Sequence, residues 1–132
     1  MDQLQAFSNS PMRASRIIST NVVNLQHESL GDIKDMVIDQ ATGKVAYAVV
    51  SFGGFLGLGE KLFAIPFSAF TYNAPENEYV LDVNKDKLKT APGFDSGHWP
   101  TMTDEKWNLD QHSFYDRTPY WDRAPKAETR VN

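Results

Sequence analysis

The chain contains no cysteine, so disulfides, thiolate metal sites and cysteine nucleophiles are all excluded and stability must come from packing. A reducing compartment is compatible with that composition. No run of apolar residues approaches the ~18 that a membrane-crossing helix needs. The first residues, MDQLQAFSNSPMRA, carry an acid at Asp2 and neither the basic nor the apolar stretch of a secretory leader. The expectation is a soluble, cytoplasmic protein with no membrane span. Positive charge is scarce: 13 Lys and Arg against 17 Asp and Glu leave a net charge of −4, which disfavours strong binding to nucleic acid or an anionic surface. Histidine is also sparse, and His27, His98 and His112 lack the short spacing that brings imidazoles onto one ion. No metal and no other cofactor is expected.

Catalytic signatures are missing as well. No G-x-S-x-G elbow is present to present a nucleophile, and Asp32, Asp35 and Asp39 have no partner base, so they read as solvated or turn-bonding carboxylates. GGFLGLGEK imitates a phosphate loop through Gly54, Gly59 and Lys61, but Glu60 separates the second glycine from the lysine and a strand follows where a helix is required. No catalytic residue is assigned, and the expected class is not an enzyme.

What the chain does have lies mainly between Gly31 and Phe70: three β-like segments separated by glycine-bearing turns, in a chain of 132 residues sized for one domain. Ile33, Met36 and Ile38 form one apolar face, and the slip in spacing after Ile33 predicts a β-bulge near Asp35. Val45, Tyr47 and Val49 alternate with Ala46, Ala48 and Val50, so this strand is apolar on both faces and reads as the most buried. DQATGK, residues 39–44, predicts a hairpin turn with Gly43 at positive φ, and Gly31 is expected to need an unusual backbone angle. Pro66 marks a strand end or edge within the apolar run 61–70.

Around that centre, residues 1–13 read as a mobile arm and 14–94 as the barrel domain, opened by a short strand over 14–20 that carries Ile17 and Ile18. A final strand over 78–83 leads to a short helix capped by Asn84. Residues 95–122 hold all three tryptophans and read as a docked aromatic helix and arm. Thr103 is expected to cap a helix over 104–115, with a narrow stripe of Trp107, Leu109 or Asp110, Gln111 and Phe114. Residues 123–132 read as a mobile tail. Phe55, Leu56 and Leu58 sit in a seven-residue loop too short to bury them fully, so they either cover the barrel end or present an apolar contact patch. With Trp99, Trp107, Tyr120 and Trp121 they are the candidate partner-binding residues. The tail's charges are mainly acidic, so these aromatics suit packing on the barrel or on another subunit better than base stacking.

The segments LGDIKDMVIDQATGKVAYAVVSFGG, KLFAIPFSAF and EYVLDVNKDKLKTAPGF resemble the PRC-barrel family, through Gly31, Asp35, Asp39, Gly43, Val49, Ile65, Pro66 and the stretch Leu88 to Phe94. The family includes a barrel of the photosynthetic reaction centre heavy subunit and the C-terminal domain of a ribosome-maturation factor. The tail, through WPTMTDEKW and YDRTPYW, is similar to that of some stand-alone bacterial members. The resemblance implies a mainly β fold, a small, partly open antiparallel β-barrel with a short helix, and a docking role for proteins rather than catalysis. The chain lacks the membrane helix of the first relative and the N-terminal domain of the second, so neither specific function transfers. The expected function is protein interaction or self-assembly, as a homo-oligomer with a dimer as default. The alternative is a small-ligand-binding or RNA-machinery-associated barrel with a pocket between sheet and tail.

Overall fold

The computed structural model describes residues 11–52 and 61–121. The expectations for most of the N-terminal arm, for the loop bearing Phe55, Leu56 and Leu58, and for the final tail lie outside the described residues. Among the described residues the first element is not the expected strand but a helical turn, α1 (Ala14–Ile17). Adjacent Ile17 and Ile18 would point to opposite faces of a sheet, whereas the turn sends Ile17 alone into the core. Ser19, at φ +83, then reverses the chain into β1 (Asn21–Val23). The following loop is organised by buried Asn24, whose Oδ1 accepts the Gln26 and Glu28 amides at 3.0 and 2.9 Å.

β2 (Ser29–Ile38) and β3 (Val45–Phe52) form the expected hairpin, with Gly43 at φ +80 in its turn. Register jumps between Ile33, opposite Val50, and Asp35, opposite Val49, so Lys34 is the extra residue of the bulge that the sequence spacing predicted. The bulge returns Met36 to the face of Ile33, and both pack in the main core. Ile38 does not join them: a second register shift after Val37 leaves it 48% exposed, and Val37 packs on the opposite face instead.

Gly31 corrects another expectation. It lies inside β2 opposite Phe52 without a positive φ, and its necessity is one of space: a Cβ there would lie 2.0 Å from the Ser51 carbonyl oxygen. Backbone cannot yield as a flexible side chain can. Gly31→Ala is therefore expected to force β2 and β3 apart and cost about 2 kcal/mol, read as a lowered urea midpoint. An unchanged midpoint would contradict the close approach.

β4 (Leu62–Pro66) pairs with β3 and is buried at every position, whereas β3, expected to be the most buried strand, is only partly buried at Val45 and Ser51. Pro66 ends it. The apolar run 61–70 breaks there, as the proline predicted, into a 3₁₀ turn (Phe67–Ala69), and β5 (Phe70–Asn73) begins a new pairing with β6 (Glu78–Leu81). The sheet order is β4-β3-β2-β1-β6-β5, antiparallel except for the parallel β1–β6 pair. β4 and β5 stand at opposite ends of that order yet only three residues join them, so the sheet must curl until its ends approach, a partly open barrel. The Asn84 carboxamide caps α2 (Lys85–Leu88) by accepting the Lys87 amide at 2.8 Å.

Both faces of β3 are buried because two layers cover it. Ala48, Val50 and Phe52 point into the barrel with Ile33, Ile65 and Leu81, and Ala46 and Tyr47 belong to a second cluster with Ala64 on the outside. Phe94, Trp107 and Tyr120, all from the C-terminal part, close that second cluster. The outer edge of β4 is also occupied, because Leu62 and Phe94 exchange two backbone hydrogen bonds of 2.8 Å. Helix α3 (Glu105–Phe114) lies beside it. Among the described residues no helix is long and apolar enough to cross a membrane.

Candidate functional site

The outer cluster is held by polar groups. α3 buries Asn108, Gln111 and His112, and Tyr115 continues the same face at i, i+3, i+4 and i+7. The apolar stripe expected from the sequence is displaced: Leu109 is 43% exposed, and of that stripe only Gln111 is fully buried. Asp104, not Thr103, takes the N-cap position, and its side chain makes no capping bond. The reason lies across the interface. Tyr47 brings a hydroxyl into a water-excluding layer, and an apolar helix face would leave it unpaired.

Asn108 supplies the partner. Its Oδ1 accepts the Tyr47 hydroxyl, while its Nδ2 donates to the carbonyls of Met102 at 3.0 Å and Asp104 at 2.8 Å. His112, 1% exposed, places Nδ1 2.8 Å from the Asn108 carbonyl and takes the Tyr120 amide on Nε2 at 3.2 Å. A carbonyl can only accept and an amide N–H can only donate, so these partners assign a neutral imidazole with its proton on Nδ1. One chain of hydrogen bonds thus links β3, α3 and the Tyr120 backbone.

Electrostatics follow from burial. Desolvation pushes the Tyr47 phenol well above its ordinary value, with Tyr120 adding to the effect. His112 is driven below its usual value by desolvation, partly offset by its bond to Asn108. Tyr120 is raised by burial and by the nearby Asp39 carboxylate. The folded His112 therefore binds its proton less tightly than an unfolded imidazole near 6.5. Its contribution to stability is complete above that value and is lost as pH falls through the depressed folded value. The urea midpoint should drop as pH falls below about 6.5, and His112→Gln should flatten that drop. A drop of equal size in His112→Gln would place the proton elsewhere.

The aromatic residues arrange themselves around this network. Trp107 and Tyr120 contact the Tyr47 ring at centroid distances of 5.3 and 6.3 Å, and Trp121 meets His112 at 5.4 Å and Tyr120 at 5.0 Å. The Lys44 ammonium lies 3.4 Å from the Tyr120 carbonyl and ties the arm to the hairpin. Trp99 packs on Phe94 at 4.9 Å and stays 44% exposed. Of the candidate partner-binding residues, then, Trp107, Tyr120 and Trp121 come together, Trp99 stands apart, and Phe55, Leu56 and Leu58 lie outside the described residues.

Between the β2–β3 turn, the start of α3 and the Tyr120–Trp121 arm runs a groove of two adjoining cavities, about 380 and 280 Å³. Asp39, Met102, Thr103, Asn108 and Tyr120 line both; Glu105 and Trp121 wall the larger, and Ile38 and Tyr47 the smaller. Sequence reasoning passed over Asn108 and His112 as site residues. Their four-residue spacing within a helix was a legible signal, but the Tyr47 hydroxyl that gives it meaning lies 61 positions from Asn108. Among the described residues no three metal-ligating side chains converge.

Residues 11–88 match a family described as PRC-barrel domain. Among solved structures, the chain is similar to RimM of Pseudomonas aeruginosa, described as a 16S ribosomal RNA processing protein, at 17% identity and a TM-score of 0.39. That match covers 60% of this chain and 48% of RimM, so it spans about half of the longer protein. A search of curated proteins finds no match.

Proposed function

The chain belongs to the PRC-barrel domain family, and on that premise we propose that it is a non-enzymatic docking module whose contact surface is the groove beside Tyr120 and Trp121. One observation carries this reading: the C-terminal segment covers the outer face of β3 and β4 and yet leaves an open groove with an aromatic wall, at whose margin Ile38 and Trp121 stay 48% and 40% exposed. Large apolar side chains kept in water around a concavity suit a partner's side chain. Binding is favoured over catalysis because the imidazole and carboxamide of the seam behind the groove are already engaged. Both His112 nitrogens have partners, and Asn108 is bonded through both ends of its carboxamide. A general base needs a free lone pair within reach of a substrate proton, and neither the imidazole nor the carboxamide offers one.

Affinity capture from the native lysate, run in parallel with wild type and Trp121→Ala, tests the proposal. A protein retained by the first and lost by the second supports it. Equal retention by both removes the groove from the contact. Self-association belongs to the same reading, since Leu25, Trp99 and Leu109 are also exposed. Light scattering at micromolar concentration should then show a dimer that Trp121→Ala weakens or leaves intact according to whether the groove is its seam.

A second reading, a small-molecule occupant, is favoured by the volume of the larger cavity, about 380 Å³, which falls within the ~300–1,000 Å³ of small-ligand sites. A metabolite library separates the two: a ligand raises the melting midpoint, and a protein-docking groove ignores it.

A further inference from the structure

Among the described residues, the groove is lined by charge of one sign. The geometry points to a cationic side chain of a protein partner, the ammonium of a lysine or the guanidinium of an arginine, as its occupant. This inference rests on the docking reading and specifies its partner. Among the described residues lining the larger cavity, Asp39 and Glu105 are acidic and none is basic, and the smaller cavity adds no basic residue either. Neither acid takes part in any of the five ion pairs among the described residues. Lys44 lies against the Tyr120 carbonyl and is not among the described lining residues of either cavity.

The aromatic wall has the matching property. Tyr120 and Trp121 meet at 89° with centroids 5.0 Å apart, and His112 meets Trp121 at 79°. Among the described residues neither of these neighbours stacks parallel on the indole, and the 40% of Trp121 that is exposed is the part a cation would meet. Asp39 belongs to the same corner, since its carboxylate is close enough to Tyr120 to oppose ionisation of the phenol. Its Oδ2 accepts the Thr42 hydroxyl at 2.7 Å, which fixes the carboxylate in the hairpin turn. A π face and two carboxylates around one concavity stabilise a cation far better than a neutral group, and they repel phosphate. Met102 and Ile38 provide apolar surface for the methylene stem that a lysine or arginine carries.

The test uses the full chain and follows the three indole N–H signals by two-dimensional NMR, with Trp121 identified through Trp121→Phe. The probes are N-acetyl-lysine methylamide, N-acetyl-arginine methylamide and the uncharged N-acetyl-norleucine methylamide. Saturable movement of the Trp121 signal with the two cationic probes and not with norleucine supports the inference. In Asp39→Asn with Glu105→Gln, their affinity should fall about tenfold. Glu105→Gln alone, at an exposed position on the first turn of α3, provides the same comparison if the double variant is unstable. Equal movement with norleucine overturns the cationic occupant while leaving the groove as a docking surface. No movement with any probe overturns both the inference and the docking reading. A Trp121 signal that shifts with protein concentration alone assigns the groove to a second copy of the chain and overturns the inference.

Discussion

Val49→Asp is expected to abolish cooperative melting. Val49 is 0% exposed, sits at the middle of β3 and is paired on one side with Asp35 and on the other with Ala64. Neither register partner is a cation. A carboxylate there must either stay ionised without a partner or take up a proton, and its register neighbour Asp35 makes ionisation harder still. Burying an unpaired charge costs several kcal/mol, comparable with the whole ~5–15 kcal/mol that holds a domain together. Circular dichroism on heating should show no cooperative transition at neutral pH. A melting temperature equal to wild type would refute the burial of β3 between its two covering layers.

The second large effect is expected at the polar seam. Asn108→Ala removes the acceptor of the buried Tyr47 hydroxyl and the donor to the Met102 and Asp104 carbonyls together. Leaving buried polar groups unpaired costs ~1–3 kcal/mol each, so a loss of about 3 kcal/mol is expected. The seam ties α3 to the barrel, and loosening should therefore show first in the C-terminal part. Trypsin should cut at Lys106 and Arg117 much faster in Asn108→Ala than in the parent, with cleavage preceding loss of the β signal in circular dichroism. Tyr47→Phe removes the other half of the pair, and the double variant should lose less than the sum of the two singles, since each has already broken the same bond. Additive losses, or cleavage at the parental rate, would show that the bond contributes little to docking.

Both effects rest on β3, and the two substitutions differ in how far the sequence anticipates them. Alternation of six apolar residues from Val45 to Val50 needs only the period of a strand to be read, because any strand with two apolar faces must be covered on both. The same local logic exposes the bulge: Ile33 and Met36 can share a face only if one residue is looped out between them. Gly43 in its turn and the Asn84 cap are equally local, since each is decided by backbone within a few residues. The family itself was legible in motifs of that kind.

What the sequence could not decide depends on partners distant in the chain. The turn at α1 depends on which of Ile17 and Ile18 has a core to enter, and β5 exists as a strand because β6 is there to pair with it. Gly31 is required by the Ser51 carbonyl across the hairpin, not by its own φ. The orientation of α3 followed least from its own residues. Its hydrophobic spacing favoured a face with Trp107 and Phe114, but one buried phenol on β3 requires a hydrogen-bond partner, and that requirement turned Asn108 and His112 inward. Local periodicity thus determined which strands form and where they bend. Tertiary structure alone decided which polar groups meet, because desolvation acts only once two distant surfaces have closed.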